Sequence, residues 1–455
     1  MKFDVILTSY GFVMNQYRKM CQYVNRVEEF KQNGQSIRPL ERPSLSIFSE
    51  IFYQQYTESN LKFPYLILDE VTAIKNCDSI TFGALRELRM LADACVMLTG
   101  SVVDNTWFDL FAFIRLVLSH TIDKRSTMIS LFASRNAADK IIPPRDTQFC
   151  RLIQLLNSFV VRRPEITIDI PELVQEDVTF ELSDDEASQS NHNFDKYQRI
   201  MRMNSKDAVQ IPGQSKKLQP WKYLTRALQH ACHPRMVDIM HFARNQFATN
   251  DDEADADRLY EAEDIEKWLA WREELTKDDN WKSSRVTAII DTFNKQRDLD
   301  PFCAGLIFDE SVYFLDIVQI AFSQMYDPVE CLRYDGRETP EKRILILQEF
   351  EKAAGKKVLL ISRGAGGVGL NITAANVVIL CSPWWKVGWE KQAIKRAHRT
   401  GQKRKVWAGR VVAANCDMDL YKARTRDKKN RHNAKIMDRI TRKDGEMPRI
   451  WNDFV

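Results

Sequence analysis

Short unbroken apolar runs alternate along this chain with segments of helical period. Phe63–Leu68 (FPYLIL) and Lys357–Ser362 (KVLLIS) have the composition and length of buried strands, and a further run, NVVIL, ends at Leu380. Between the last two lies a loop with glycines at 364, 366, 367 and 369. Beyond them, Trp389–Thr400 reads as a helix, with Gln392, Arg396 and Arg399 at i, i+4 and i+7 and therefore on one face. Gly401 supplies a helix stop. The opening Val5–Tyr10 (VILTSY) reads as a strand end. Strands alternating with helical segments predict an α/β chain with mainly parallel sheets.

The chemistry of these positions narrows the reading. Glycines after a strand let the backbone turn sharply and approach a phosphate without Cβ clashes. Two arginines and a glutamine on one helix face suit a triphosphate, because guanidinium is permanently charged and presents its donors in a rigid fork. A solvated basic face is the alternative for the same helix. Asp69 and Glu70 directly follow the run FPYLIL, and paired acids at a strand's C-terminal end suit a magnesium-dependent triphosphatase. An Asp-Glu pair on an ordinary surface is the bland alternative.

A family resemblance settles the balance. GAGGVGLNITAAN (364–376), the SPWW after it and QAIKRAHRTGQ (392–402) are very similar, in order and spacing, to the last two helicase motifs of the Swi/Snf-type ATPases, the chromatin-remodelling and DNA-translocating branch of superfamily two. DEVTAIKN at Asp69 resembles the family's DEAH box and trailing IKN. VMLTGSVVDN at Val96 resembles its LTGTP segment, and LQHACHPRM at Leu228 its CNHP segment. The resemblance implies that Asp69 holds magnesium and Glu70 polarises the attacking water, with Arg396 and Arg399 as arginine fingers. Gln392, Gly367, Gly369, Thr99 and Gly100 would then serve the nucleotide. Thr8, Ser9 and Asn371 would touch DNA, the first two as donors to phosphate oxygens.

It further implies two RecA-like lobes with helical protrusions between them, ATP and magnesium as cofactors, and double-stranded DNA, nucleosomes and remodelling-complex subunits as partners in the nucleus. The expected organisation is a partial first lobe at 1–106, protrusions with an acidic insertion at 107–283, a second lobe at 284–415 and a basic extension at 416–455. Two departures matter. No G-x-x-x-x-G-K-[ST] phosphate loop occurs, so the first lobe is expected to be N-terminally incomplete. Val71 and Thr72 also replace the family's Ala-His, and Ser101 and Val102 its Thr-Pro. A non-hydrolysing DNA-binding scaffold and an RNA helicase remain alternatives to a double-stranded DNA translocase.

Composition adds three points. The nine cysteines are scattered without C-x-x-C spacing, which reads as reduced core residues rather than a zinc site. No apolar run reaches membrane-spanning length, so no membrane partner is expected. The net charge of +4 hides an asymmetry: Lys386–Lys443 holds 19 Lys or Arg against 5 Asp or Glu. That local +14 leaves −10 elsewhere and concentrates positive charge near the C-terminus. Arg424, Arg426, Lys428, Lys429 and Arg431 are its densest part, with phosphate contact, an import signal and a solvated flank all open. Trp384 and Trp385 are expected to pack rather than to stack on bases.

Overall fold

Parallel strands need helices on both faces, and the second half of the chain supplies them. The computed structural model describes residues 5–33, 62–104, 106–136, 141–162, 170–206, 220–241, 262–325, 327–352, 357–365 and 369–440. Contacts divide the chain into two compact units, one of residues 1–164 with 431–455 and the other of residues 165–430.

In the first unit, helix α1 (Tyr10–Asn33) precedes strand β1 (Phe63–Leu68), helix α2 (Ile80–Met90) and strand β2 (Ala92–Met97). β1 and β2 pair in parallel, with Leu68 opposite Met97. A two-residue antiparallel pair, β3 (Ser134–Arg135) with β4 (Ile141–Ile142), lies farther on. The core gathers Phe82, Leu85 and Leu88 of α2 with Phe111, Leu152 and Leu156. It draws Phe63, Leu66 and Leu68 from β1 but leaves Tyr65 and Ile67 exposed. The run FPYLIL, expected to be buried, is thus covered mainly on one side.

The expected strand at Val5–Ser9 forms no ladder with a described strand. Its side chains are exposed, and Ser9 instead starts α1, its Oγ accepting from Phe12 N at 3.2 Å. An apolar run makes a strand only where a neighbour takes up its backbone groups.

The second unit is built on six parallel strands in the order β5 (Leu173–Phe180), β10 (Val406–Ala413), β9 (Val377–Leu380), β6 (Ala304–Asp309), β8 (Lys357–Ser362) and β7 (Glu330–Tyr334). Period-2 alternation divides the strand residues between two cores. Ile307, Val358, Leu360 and Ile379 pack on one face with α3 (Ser284–Leu299) and α4 (Val312–Ser323). Leu306, Phe308, Leu359 and Leu380 pack on the other with α5 (Pro340–Lys352) and Trp384. β6 is buried along its whole length, as a central parallel strand must be. Gly305 permits this closeness, since a Cβ there would come within 2.8 Å of Phe293 Cε2 on α3.

A buried guanidinium fixes the sheet's end. Arg285, 0% exposed, donates to the carbonyls of Ala231, Cys381 and Val411 and pairs with Asp419 Oδ2 at 2.7 Å. Trp384 is buried and Trp385 packs edge-on against Tyr421, so both tryptophans serve packing. All nine cysteines are free. No helix among the described residues is long and apolar enough to cross a membrane.

Candidate functional site

In the first unit the expected side chains stand at the C-terminal ends of the parallel strands, where α/β sheets place their ligand chemistry; in the second they stand on the loop after β8 and in the segment between β9 and β10. In the first unit, Leu98 N donates to Leu68 O at 2.8 Å and Val71 N to Leu98 O at 3.0 Å, so the ends of β1 and β2 are bonded together. Asp69 and Glu70 therefore emerge beside Thr99 and Gly100. Asp69 is exposed, and its Oδ1 accepts from Glu70 N at 3.0 Å. Glu70 has φ 48° and ψ 50°, a left-handed conformation that costs a side chain of this kind about 1–3 kcal/mol. The strain is held by its surroundings: Val71 and Ile74 anchor the following 3-10 turn in the core, and Lys75 pairs with Asp104 at 2.8 Å.

Thr99 closes its own loop. Its Oγ1 donates to Ser101 O at 2.9 Å and accepts from Ser101 N, while Ser101 Oγ donates to Val103 O. The residues standing where the family has Thr-Pro thus build a hydrogen-bonded turn. Tyr10 was not singled out from the sequence. Its hydroxyl donates to Asp69 O at 2.5 Å, tying the first residue of α1 to the acidic pair. Burial, with the charges of Asp69 and Glu70 added, pushes the phenol well above its ordinary value, so it remains a donor across the physiological range. The only earlier signal was its place at the end of VILTSY.

In the second unit, β8 leads into the glycine-rich loop. Gly364 and Gly369 are described, the latter with φ 46°, whereas Gly366 and Gly367 lie outside the described residues. The helix expected over Trp389–Thr400 is shorter: α6 spans Val387–Ile394, and turns carry the chain from Lys395 to Gly401. Gln392 is on α6 and half-buried, while both arginines stand in the turns after it. They still converge. Arg399 Nη1 donates to the carbonyls of Gly369 and Leu370 at 3.3 and 3.2 Å, and Arg396 Nη1 reaches Leu370 O at 3.5 Å. Arg396 is buried and Arg399 exposed. Asn371, exposed, follows on the same loop.

The side chain that makes this arrangement possible is Gln402, which sequence reasoning passed over. Buried, it donates to the carbonyls of Thr373, Ala375 and Ala397 and accepts from Lys403 and Arg404 N. Gly401, at φ 101°, makes the turn that delivers it. The bond to Ala397 O takes up a carbonyl that a continued helix would need and so favours the turns after Ile394, while the bonds to Thr373 and Ala375 tie those turns to the segment leading into β9.

Among the described residues no group of three or more His, Cys, Asp or Glu is arranged to hold a metal. Magnesium needs no such cage, since one or two carboxylates complete its shell with water and substrate phosphates. The exposed carboxylate of Asp69 fits that use. Thr8 is exposed. The acidic stretch from Asp251 to Glu266 lies largely outside the described residues.

Residues 1–236, just over half of the chain, match the SNF2-related domain, and residues 285–401 match the helicase conserved C-terminal domain. An uncharacterized ATP-dependent helicase of Mycoplasma genitalium is 25% identical over 411 residues, covering 88% of this chain and 34% of that protein. DNA repair protein RAD5B of Arabidopsis thaliana is 40% identical over 134 residues, 29% of this chain and 10% of that protein. Among solved structures, the Sulfolobus solfataricus SWI2/SNF2 ATPase core in complex with dsDNA is 20% identical with a TM-score of 0.34, covering 77% of this chain and 64% of that one. The chain spans about a third of the length of the curated helicases it matches over most of its own. With its acidic pair, glycine-rich loop and converging arginines in family order, this chain belongs to the SNF2-related, Swi/Snf-type family of helicase-like ATPases.

Proposed function

We propose that the chain works as part of a DNA-dependent ATPase that translocates along double-stranded DNA, in remodelling or repair. The observation that carries this reading is the convergence of Arg396 and Arg399 on Gly369–Leu370, which joins the arginines to the loop that would couple DNA to nucleotide. ATP is the substrate, and magnesium when bound would neutralise charge on its phosphates. Asp69 would hold that ion through its carboxylate. Glu70, whose backbone is held in the left-handed region beside it, would orient and polarise a water. Arg396 and Arg399 would stabilise negative charge developing on the transferred phosphoryl group. Thr99 would relay nucleotide state through its loop, with Gln392 and Gly367 also serving the nucleotide. Thr8, Ser9 and Asn371 would meet the DNA backbone.

The RAD5-type relatives are DNA repair proteins, which supports a repair-linked role in the nucleus; nucleosomes and companion subunits are further proposed partners. The test is ATP-driven displacement of a third strand from a triplex-bearing duplex. Displacement that requires hydrolysable ATP supports translocation, and displacement indifferent to ATP refutes it. One observation favours a second reading. Val71 and Thr72 stand where the family has Ala-His, a change in the acidic box that suits a non-hydrolysing DNA-binding scaffold. Salt-sensitive duplex binding without any turnover would select the scaffold.

A further inference from the structure

We infer that the outward face of the C-terminal helix α7 (Asp417–Ile440) is a docking surface for the phosphate backbone of duplex DNA. This deepens the reading above and rests on it. Arg424, Lys428, Arg431, Lys435 and Arg439 stand at i, i+4, i+7, i+11 and i+15 of one unbroken helix. At about 100° per residue, these spacings keep all five within an arc of about 80°. All five are exposed, and none forms an ion pair or side-chain hydrogen bond with another described residue.

The remaining charges of the helix sort differently. Lys422, 1% exposed, pairs with Glu310 at 3.0 Å. Arg426 is buried on Glu390 at 3.2 Å and also holds Asp427 at 2.8 Å. Ile436 and Ile440 are buried in apolar core. The dense basic run of the sequence is therefore two populations, one fixing the helix inward and one left in solvent. Asp438 lies at the stripe's edge, and Asp427 is already engaged.

A stripe from 424 to 439 is about 22 Å long at 1.5 Å per residue. That length passes about six phosphates of one strand at 3.4 Å of duplex axis each. A long row of one sign suits a linear polyanion better than a small anion, which would use only one or two of the five charges. Like charges at i, i+4 destabilise the free helix, and phosphate contact relieves that repulsion. The five residues include no aromatic or acceptor group, so this face can hold backbone without reading bases, and binding through it should be indifferent to sequence.

The test replaces all five residues with Gln in the full chain and measures equilibrium affinity for two unrelated duplexes between about 50 and 200 mM salt. Each lost contact should flatten the slope of log affinity against log salt by about 0.9, so a change between about 2 and 4.5 is expected for both sequences. As a control, Lys196, Arg199, Lys277, Lys282 and Lys295 are changed to Gln, which alters net charge equally at exposed positions elsewhere and should leave the slope near that of the parent. Should the fivefold variant fail to fold, Lys428→Gln with Lys435→Gln should still flatten the slope by about 1.8. An unchanged slope overturns the inference, as does an equal loss in the control. If slope and affinity are unchanged while DNA still stimulates ATP turnover, only this surface is wrong. A parent chain that binds no duplex overturns both the surface and the functional reading.

Discussion

Replacing Arg399 with Ala should separate catalysis from folding. In the structure Arg399 is exposed, and its guanidinium makes two long donor contacts, at 3.3 and 3.2 Å, to the carbonyls of Gly369 and Leu370. Losing exposed contacts of that kind should change stability by no more than about 0.5 kcal/mol. If Arg399 instead stabilises charge on the transferred phosphoryl group, its removal should slow turnover by about 10³ to 10⁵. That is about 4–7 kcal/mol of transition-state stabilisation at 1.36 kcal/mol per decade. The assay is steady-state ATP hydrolysis at saturating duplex DNA, with DNA affinity and thermal melting measured in parallel. Arg399→Lys should restore little, because a point charge lacks the planar fork. Turnover within about tenfold of the parent would refute the assignment. So would a melting temperature lowered by more than about 4 °C, which would make Arg399 a fold-holding residue.

Three further outcomes are expected. Arg285→Met should cost the second unit about 3–5 kcal/mol in urea denaturation, since it strands the buried Asp419 carboxylate and removes the donor from three carbonyls; a loss below about 1 kcal/mol would contradict this. Asp309 is buried and its carboxyl is pushed up to about 7, so its favourable contribution to folding is complete below about pH 4 and is lost as pH rises through 7. Asp309→Asn should therefore gain on the parent between pH 5 and 8, by about 4 kcal/mol at most, and a gap that does not grow with pH would sink the argument. Tyr10→Phe removes the donor to Asp69 O and should lower DNA-stimulated turnover about fivefold, the equivalent of about 1 kcal/mol; unchanged turnover would show that Tyr10 does not position the acidic pair.

The second unit's strands were legible because their signal is local. A parallel strand buried on both faces must be apolar along its centre, and VLLI within β8 and VVIL of β9 are. The acidic pair and the arginines were singled out by the resemblance of DEVTAIKN and QAIKRAHRTGQ to the family's motifs. What could not be read depended on partners remote in sequence. Residues 5–9 open on an apolar run like a strand yet find no described neighbour to pair with. Helical spacing placed Arg396 and Arg399 on α6, but Gln402 bonds Ala397 O within the turns there and ties them to Thr373 and Ala375, partners 29 and 27 positions away. Charge density marked 424–431 as one basic run, although Arg426 turns inward to Glu390, a residue 36 positions away. Tyr10 reached Asp69 across 59 positions, a contact no local pattern announces.

Glu70 is the residue on which proposed hydrolysis turns, and ATP hydrolysis by the chain and by Glu70→Gln, with and without long duplex DNA, tests it. Turnover should rise with duplex and be lost in the variant while DNA binding persists. Duplex-stimulated turnover that survives in Glu70→Gln would contradict the role given to the acidic pair, and duplex binding with no turnover in the parent would contradict hydrolysis by this chain.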